Sequence, residues 1–309
     1  MANLTASNMT NITKEMDSPT QDETQQAYRV VYLIFNITIN TIACPFTVGL
    51  NTLVIVAIKR RPSLQSNANI MLACLAVTDV LTGLTSQPLF IIWNLSQLVD
   101  TEETFAGFFN FLWFFFPWLS LSSCLHLLAV VCERLCAIKF PYRYHQVLTK
   151  RNIKLAILFS WMYSGTCRIG LYQIDKKSSL YGVFGAHIAI ASVAFVSCSY
   201  AVLYSETRRH KKMIKAQCLS QEDVERFLKE GKALKTTVFV FSALGLCILP
   251  GILFLVFRNF DNRLYFLKEM VWTLVTINSL LNPLIYCWRQ RELRKFIFKP
   301  LSQSVLPVD

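Results

Sequence analysis

The chain has 309 residues, of which 53% are hydrophobic and 16% are charged, and its formal net charge is +12. A soluble protein carries about 25% charged residues, so this composition excludes an ordinary soluble domain and indicates a protein embedded in the lipid bilayer. Lys and Arg are concentrated on one side of the predicted membrane spans, so the positive charge needs no nucleic acid as a partner.

Seven apolar stretches follow one another along the chain, and each meets or approaches the length of about 20 residues that a membrane helix requires. They cover approximately residues 30–58, 70–93, 105–138, 153–171, 181–204, 233–257 and 264–288. The sequence therefore predicts an all-α membrane protein, a seven-transmembrane helix bundle over residues 29–288 with a short amphipathic cytosolic helix after the seventh span. We expect no additional soluble domain.

The loops predict the orientation of the bundle. Most of the 31 basic residues follow odd-numbered spans, and basic loops stay in the cytosol, so we expect an extracellular N-terminus and a cytosolic C-terminus at the plasma membrane. Residues 1–28 are polar and read as an extracellular tail without a cleaved signal peptide. Glycosylation acceptor motifs begin there at Asn3, Asn8 and Asn11. Asn36 begins another motif, but we expect it to be too buried to be modified.

The cysteines and the C-terminal segment complete the topology. None of the ten cysteines falls in a predicted extracellular segment, so no disulfide is expected. After the seventh span, Leu293, Phe296 and Ile297 recur at helical spacing among basic residues. This pattern predicts an amphipathic helix over residues 289–300 on the cytosolic leaflet, followed by a short tail over 301–309. The alternative is a basic flank that only stops transfer through the membrane.

Polar residues inside the spans are candidates for function. Asp79 lies near the middle of the second span, where a charge costs about 2.5–3.5 kcal/mol on insertion scales. Oxygen-bearing side chains occur on three other spans, namely Asn51, Ser123, Asn278, Ser279 and Asn282. Such a set suits a monovalent hard cation with water. The alternative is a structural hydrogen-bond network without an ion.

Two further features lie toward the cytosolic side. Pro283, after Asn282, removes a backbone donor from the seventh span, which is tolerated only where neighbouring groups satisfy the freed carbonyl. Glu133 and Arg134 end the third span. Arg134 could pair with Glu133 or with Glu230 at the foot of the sixth span. Alternatively, it is an arginine that only reaches to the membrane interface.

These features occur in a recognisable order along the chain. They are Asn51, Leu75-Ala76 with Asp79, Glu133-Arg134, Trp161, Cys247 with Pro250, and Asn282-Pro283 with Tyr286. The set resembles the rhodopsin-like (class A) G-protein-coupled receptors over residues 30–299. Phe109 replaces the cysteine that the family has near the outer end of the third span, and Ser192 replaces the proline of the fifth. These departures are similar to the melanocortin, adenosine and cannabinoid branch.

The resemblance implies a function and roles for individual residues. The chain would be a cell-surface receptor, not an enzyme, that converts binding of an extracellular ligand into activation of heterotrimeric G proteins. The implied allosteric sodium site consists of Asp79, Ser123, Asn278, Ser279 and Asn282. The implied G-protein coupling switch consists of Glu133, Arg134, Pro141, Tyr200, Glu230, Asn282, Pro283 and Tyr286.

The ligand pocket follows from the same resemblance. Phe116 stands where aminergic receptors hold the aspartate that binds amines, and Thr276 stands where opsins hold the retinal lysine, so amines and retinal are disfavoured. The residues that would line the pocket are Trp113, Phe116, Ile248, Trp272 and Thr276. This mostly apolar set favours a hydrophobic or peptide ligand. Ile248 also replaces the tryptophan that usually links ligand binding to the switch.

Two other functions compete with a signalling receptor. The first is a receptor-like scaffold or heteromer partner that does not signal; the replacement at Ile248 keeps it open, and the intact Arg134, Pro141 and Tyr286 argue against it. The second is a transporter or channel, which the lack of internal repeats and of a second intramembrane acid disfavours. The four histidines are scattered and form neither a metal motif nor a catalytic one.

Overall fold

The computed structural model describes residues 21–140, 143–173 and 265–303, together with single positions between 194 and 246. Within the three continuous ranges the chain is helical and contains no strand, as predicted. The α-helices are α1 (Gln21–Arg60), α2 (Asn67–Leu81), α3 (Gln87–Leu98), α4 (Ala106–Lys139), α5 (Tyr144–Val147), α6 (Lys150–Gln173), α7 (Tyr265–Arg289) and α8 (Arg291–Gln303).

Three helical stretches in the described part are long and apolar enough to cross a membrane: Gln26–Arg60, Asn67–Leu98 and Glu103–Lys139. They coincide with the first three predicted spans, and α6 and α7 coincide with the fourth and the seventh. The fifth and sixth predicted spans lie outside the continuously described ranges. The count of seven spans therefore stays a prediction.

The helix ends differ from the predicted boundaries at both termini. α1 begins at Gln21, inside the segment predicted as an extracellular tail, and Asn3, Asn8 and Asn11 lie outside the described residues. α8 continues to Gln303, beyond the predicted end at residue 300. Its apolar residues Leu293 and Ile297 are buried against the bundle, which anchors α8 to the helices above it.

The main hydrophobic core lies in the half of the bundle that is predicted to face the cytosol. It joins α1, α2, α4, α7 and α8 through buried side chains, among them Val54, Leu75, Leu127, Val130, Tyr286 and Leu293. Val130 and Val131, close to Glu133 and Arg134 on α4, thus share a buried cluster with Tyr286 of α7.

A π-helical turn over Thr82–Ser86 joins α2 to α3. Pro88 follows in the first turn of α3. The ring of a proline clashes with the carbonyl four residues earlier, and the extra residue in a π turn relieves that clash. The turn contacts α1, α4 and α7, and the Cys44 thiol of α1 donates to the Gly83 carbonyl at 3.1 Å.

Gly83 permits the close contact between this turn and α1. A Cβ atom at Gly83 would lie 2.7 Å from the Val48 Cγ2 atom, whereas a Cβ atom at Gly49 would meet nothing within 4 Å. We expect Gly83→Ala to lower the melting temperature of the purified protein by a few degrees, because overpacking costs about 1–3 kcal/mol. Gly49→Ala gains about 1 kcal/mol of helix propensity and is the matched control. Equal melting temperatures for the two variants would contradict this packing.

Candidate functional site

Asp79 and Asn282 meet in the interior of the bundle. Both side chains are fully buried, and the Asn282 amide nitrogen donates to the Asp79 Oδ2 atom at 2.9 Å. Ser279, one turn earlier on α7, lies against the same carboxyl group. The structure thus brings together residues of the second and seventh spans that the sequence placed in one polar cluster.

Asn51 of α1 completes this cluster by repairing the helix at Pro283. Because proline has no N–H group, the carbonyl four residues earlier, that of Ser279, loses its helical hydrogen bond. The Asn51 amide nitrogen donates to that carbonyl at 3.0 Å and to the Thr47 carbonyl at 2.9 Å. The freed carbonyl therefore has as its partner a side chain from the first span.

Several oxygen atoms of the cluster are buried and have no hydrogen-bond partner within the described part of the chain. They are Asp79 Oδ1, Asn51 Oδ1, Asn278 Oδ1 and Asn282 Oδ1. A buried oxygen without a donor is costly, and carboxylate and amide oxygens are the ligands of hard cations. The donor set fits a sodium ion. Ser123 is buried on α4 but makes no hydrogen bond to Asp79.

A second group of polar residues lies at the cytosolic end of α4. The Arg134 Nε atom is 2.9 Å from the Glu133 Oε2 atom, and the Tyr144 hydroxyl donates to the Glu133 Oε1 atom at 2.5 Å. The Glu133 side chain is 0% exposed and that of Arg134 is 11% exposed. Both carboxylate oxygens of the buried Glu133 are thus in contact with a partner, one with the Arg134 guanidinium and the other with the Tyr144 hydroxyl.

Tyr144 reaches Glu133 because the short helix α5 is docked on the start of α2. The Asn67 amide nitrogen lies 3.4 Å from the Tyr144 hydroxyl and donates to the Leu148 carbonyl at 3.1 Å. Burial, followed by the hydrogen bond to Glu133, raises the pKa of Tyr144 above its ordinary value, so the hydroxyl stays protonated and able to donate. Sequence reasoning assigned no partner to this tyrosine.

The remaining switch residues divide between the described and undescribed parts of the chain. Tyr286 is buried on α7 within the main core, and Pro283 is buried one turn above it. Pro141, Tyr200 and Glu230 lie outside the described residues. The predicted pairing of Arg134 with Glu230 therefore stays a prediction.

The structure describes the side chains of three of the five residues that were predicted to line the ligand pocket. Phe116 of α4 and Trp272 of α7 make an edge-to-face contact with ring centroids 4.8 Å apart, and Leu89 of α3 packs beside them. The Thr276 hydroxyl instead donates toward α1, to the Asn40 Oδ1 atom at 2.9 Å. The Trp113 side chain and Ile248 lie outside the described residues.

Sequence reasoning missed a polar seam between α1 and α7. Besides the Thr276–Asn40 bond, the Thr273 hydroxyl donates to Asn36, and both asparagines are buried. The sequence contained an indication of this seam, because Asn36, Asn40 and Asn51 share one helical face of the first span. The burial of Asn36 agrees with the expectation that it is not glycosylated.

Comparison with known proteins identifies the class. The family described as 7 transmembrane receptor (rhodopsin family) matches residues 50–179 and 164–286 of the chain. The two matches together span more than half of the chain. The protein therefore belongs to the rhodopsin-like family of G-protein-coupled receptors, as the order of its motifs predicted.

Individual receptors resemble the chain at low identity. Trace amine-associated receptor 13c of Danio rerio is 28% identical and covers 89% of each chain. The histamine H2 receptor of Cavia porcellus is 24% identical over 85% of this chain and 79% of its own. The adenosine receptor A3 of Ovis aries is 24% identical over 83% of this chain and 86% of its own. Because these relatives differ in ligand, the branch within the family stays a prediction.

Proposed function

We propose that this receptor activates heterotrimeric G proteins when Arg134 is released from Glu133 at the cytosolic face of the plasma membrane. The observation that carries the proposal is the engagement of both Glu133 oxygens, by Arg134 and by Tyr144. A buried ion pair of this kind is a two-state element, because breaking it leaves a charge that needs a new partner. The G protein supplies that partner. In this proposal the chain acts as a receptor and not as an enzyme.

The other switch residues act around this pair. Glu230 is a second acceptor that holds Arg134 in the inactive state. On release, Tyr200 and Tyr286 move beneath Arg134, the hinge at Asn282 and Pro283 permits the shift of α7, and Pro141 shapes the loop that meets the G protein. The backbone hydrogen bond that Pro283 cannot make, and its replacement by Asn51, support a hinge at this position.

An allosteric sodium ion belongs to the same proposal. Asp79, Ser123, Asn278, Ser279 and Asn282 would hold it, and the buried oxygens without donors support this assignment. The ion supplies a positive charge that compensates the buried carboxylate of Asp79 and thereby stabilises the inactive packing.

The ligand binds from outside, between the aromatic residues of the outer half of the bundle. Trp113, Phe116, Ile248, Trp272 and Thr276 form its pocket, and the ligand is hydrophobic or a peptide. The N-terminus is extracellular, with glycans on Asn3, Asn8 and Asn11, and the C-terminus is cytosolic. Phe116 in the pocket distinguishes this ligand from the amines named in the relatives.

Tyr144→Phe tests the proposal without removing a charge. The variant leaves a buried oxygen of Glu133 without this donor, and a hydrogen bond to a charged group contributes about 1.5–3 kcal/mol. We therefore expect about a tenfold rise in ligand-independent G-protein dissociation in cells. Tyr163→Phe removes an equivalent hydroxyl from α6 and serves as the control.

The readout is dissociation of each Gα class in turn, at equal surface expression of the receptors. A rise for Tyr144→Phe but not for Tyr163→Phe supports a switch at Glu133. No dissociation of any Gα class, with wild type or with either variant, would favour the scaffold that does not signal.

A further inference from the structure

Pro117 interrupts the third span at a point that neither the switch nor the ion site uses. It lies inside α4, directly after Phe116, one of the predicted pocket residues. Because proline has no N–H group, the carbonyl of Trp113 four residues earlier loses its helical hydrogen bond. Sharp bends of helices occur mostly at such positions. Pro117 therefore divides α4 into an outer segment at the pocket and an inner segment that ends at the switch.

The inner segment of α4 is joined to α6 directly after Pro117. The Trp118 indole N–H donates to the Trp161 carbonyl at 3.3 Å. One turn farther along, the buried hydroxyls of Ser122 and Ser164 share a hydrogen bond of 2.5 Å. Separating the two helices would leave these polar groups unpaired in an apolar environment, which is costly. We therefore expect the inner segment of α4 to move together with α6.

The outer half of α7 is held in the same way by α1. The Thr273 hydroxyl donates to Asn36, and the Thr276 hydroxyl donates to the Asn40 Oδ1 atom at 2.9 Å. All four side chains are buried, so breaking these bonds carries the same cost. The outer half of α7 is thus fixed to α1.

Phe116 links α4 to this fixed part of α7 through an apolar contact. Its buried ring meets the Trp272 ring edge to face, with centroids 4.8 Å apart. Separating two aromatic rings breaks no hydrogen bond between them, and an apolar group of a ligand offers each ring a similar contact. A ligand can therefore open this contact more easily than the hydrogen bonds that hold α4 to α6 and α7 to α1.

The outer end of α4 has an anchor of its own. Phe109 is buried and meets Trp93 of α3 edge to face, with ring centroids 4.6 Å apart. With this end held, a ligand that pushes Phe116 aside displaces the middle of α4. Because the helix bends at Pro117, the inner segment then tilts instead of shifting as a whole.

A small tilt is enough to reach the switch. Glu133 lies about 24 Å beyond Pro117 at 1.5 Å per residue, so a tilt of about 5° moves it by about 2 Å. Arg134 is on the same helix and moves with Glu133. The Tyr144 hydroxyl, which donates to Glu133 at 2.5 Å, is held from the side of α2 by Asn67 instead. The tilt therefore separates Glu133 from Tyr144.

We propose that Phe116 and Pro117 form a ligand-operated hinge in the third span. A ligand that parts Phe116 from Trp272 tilts the inner segment of α4 and draws Glu133 away from Tyr144. The inference rests on the proposed receptor function, since it supplies the connection from the pocket to the switch. The predicted sixth span carries Ile248 in place of the tryptophan that usually makes this connection.

The first test measures ligand-independent dissociation of each Gα class in cells, at equal surface expression. Phe116→Leu opens the contact and should raise dissociation about fivefold, since an aromatic pair contributes more than the area that it buries. Phe109→Leu makes the same change in the matched contact with Trp93 and should cause no rise. Trp272→Leu should match Phe116→Leu, and Trp272→Phe should raise dissociation less because it keeps a pair of rings.

Pro117→Ala distinguishes a hinge from ordinary packing. Alanine restores the backbone donor and favours a continuous helix. A variant that combines Phe116→Leu with Pro117→Ala should therefore return to wild-type dissociation, although the ring contact is still missing. A rise that persists in this double variant overturns the proposal.

A second readout needs no G protein and so separates this inference from the receptor function. It is hydrogen exchange of the Val147 and Leu148 amides, which are hydrogen-bonded around α5, in the purified receptor in lipid nanodiscs. Exchange should be about fivefold faster in Phe116→Leu than in wild type, Phe109→Leu or the double variant. Faster exchange without G-protein dissociation supports the hinge and counts against the proposed function. Equal exchange in Phe116→Leu and wild type overturns the hinge, whether or not the receptor signals.

Discussion

Replacing Arg134 with alanine should reduce G-protein dissociation to the level of cells without receptor, while surface expression is retained. The guanidinium is mostly buried and held by Glu133 at 2.9 Å. In the proposed released state it is the charge that the G protein meets, and its planar set of donors is one that a lysine does not provide. We therefore expect a loss of at least tenfold relative to wild type, measured as dissociation of the responsive Gα class.

A matched variant controls for the loss of a basic residue at the cytosolic side. Arg60→Ala removes an exposed arginine at the end of α1 and should retain wild-type dissociation. Arg134→Lys keeps the charge but not the planar geometry, so an intermediate level is expected. Wild-type dissociation by Arg134→Ala would contradict the role of this residue.

Asp79→Asn should abolish the stabilisation of the receptor by sodium. In wild type, replacing choline chloride with sodium chloride at equal ionic strength should raise the melting temperature by a few degrees. Sodium at several times its dissociation constant contributes about 1 kcal/mol through binding to the folded state. The variant keeps the shape of the side chain but removes the charge that the ion compensates. The observations behind this expectation are the burial of Asp79 and the oxygens without donors around it.

The control for this measurement is a second aspartate. Asp100→Asn makes the same change in an exposed loop after α3 and should leave the sodium effect intact. Asp79→Asn should also unfold at a higher temperature than wild type in choline, because it removes an uncompensated buried charge. A sodium effect of equal size in wild type and Asp79→Asn would remove the ion from the proposal.

Two buried polar features of the spans, Asp79 and the break at Pro283, were predictable because the bilayer makes each of them costly. Asp79 was recognisable as an acid in an apolar segment. Its Oδ2 atom accepts a hydrogen bond of 2.9 Å from the amide nitrogen of Asn282, which lies on another helix. Pro283 predicted that a backbone carbonyl of the seventh span would need a donor from outside its own helix. Asn51 is that donor, and the carbonyl is that of Ser279. In each case the sequence shows a buried group whose burial is unfavourable unless it is paired. The polar residues of the spans that could pair with it are few.

Contacts made by loops and by irregular turns could not be predicted in the same way. Tyr144 belongs to a helix of four residues, too short for any periodicity, and its bond to Glu133 depends on the docking of that helix on α2. The π turn at Thr82–Ser86 changes which residues of α3 face the interior. Gln87 is buried directly after this turn, although the sequence shows it only as one glutamine in an apolar run.

The central claim is that Glu133 restrains Arg134 and that its release activates a G protein. The most direct measurement is dissociation of each Gα class in cells that express wild type, Tyr144→Phe or Arg134→Ala at equal surface levels. We predict that one class responds in the order Tyr144→Phe, then wild type, then Arg134→Ala, with the last at background. Equal dissociation by all three receptors in every Gα class would contradict the claim.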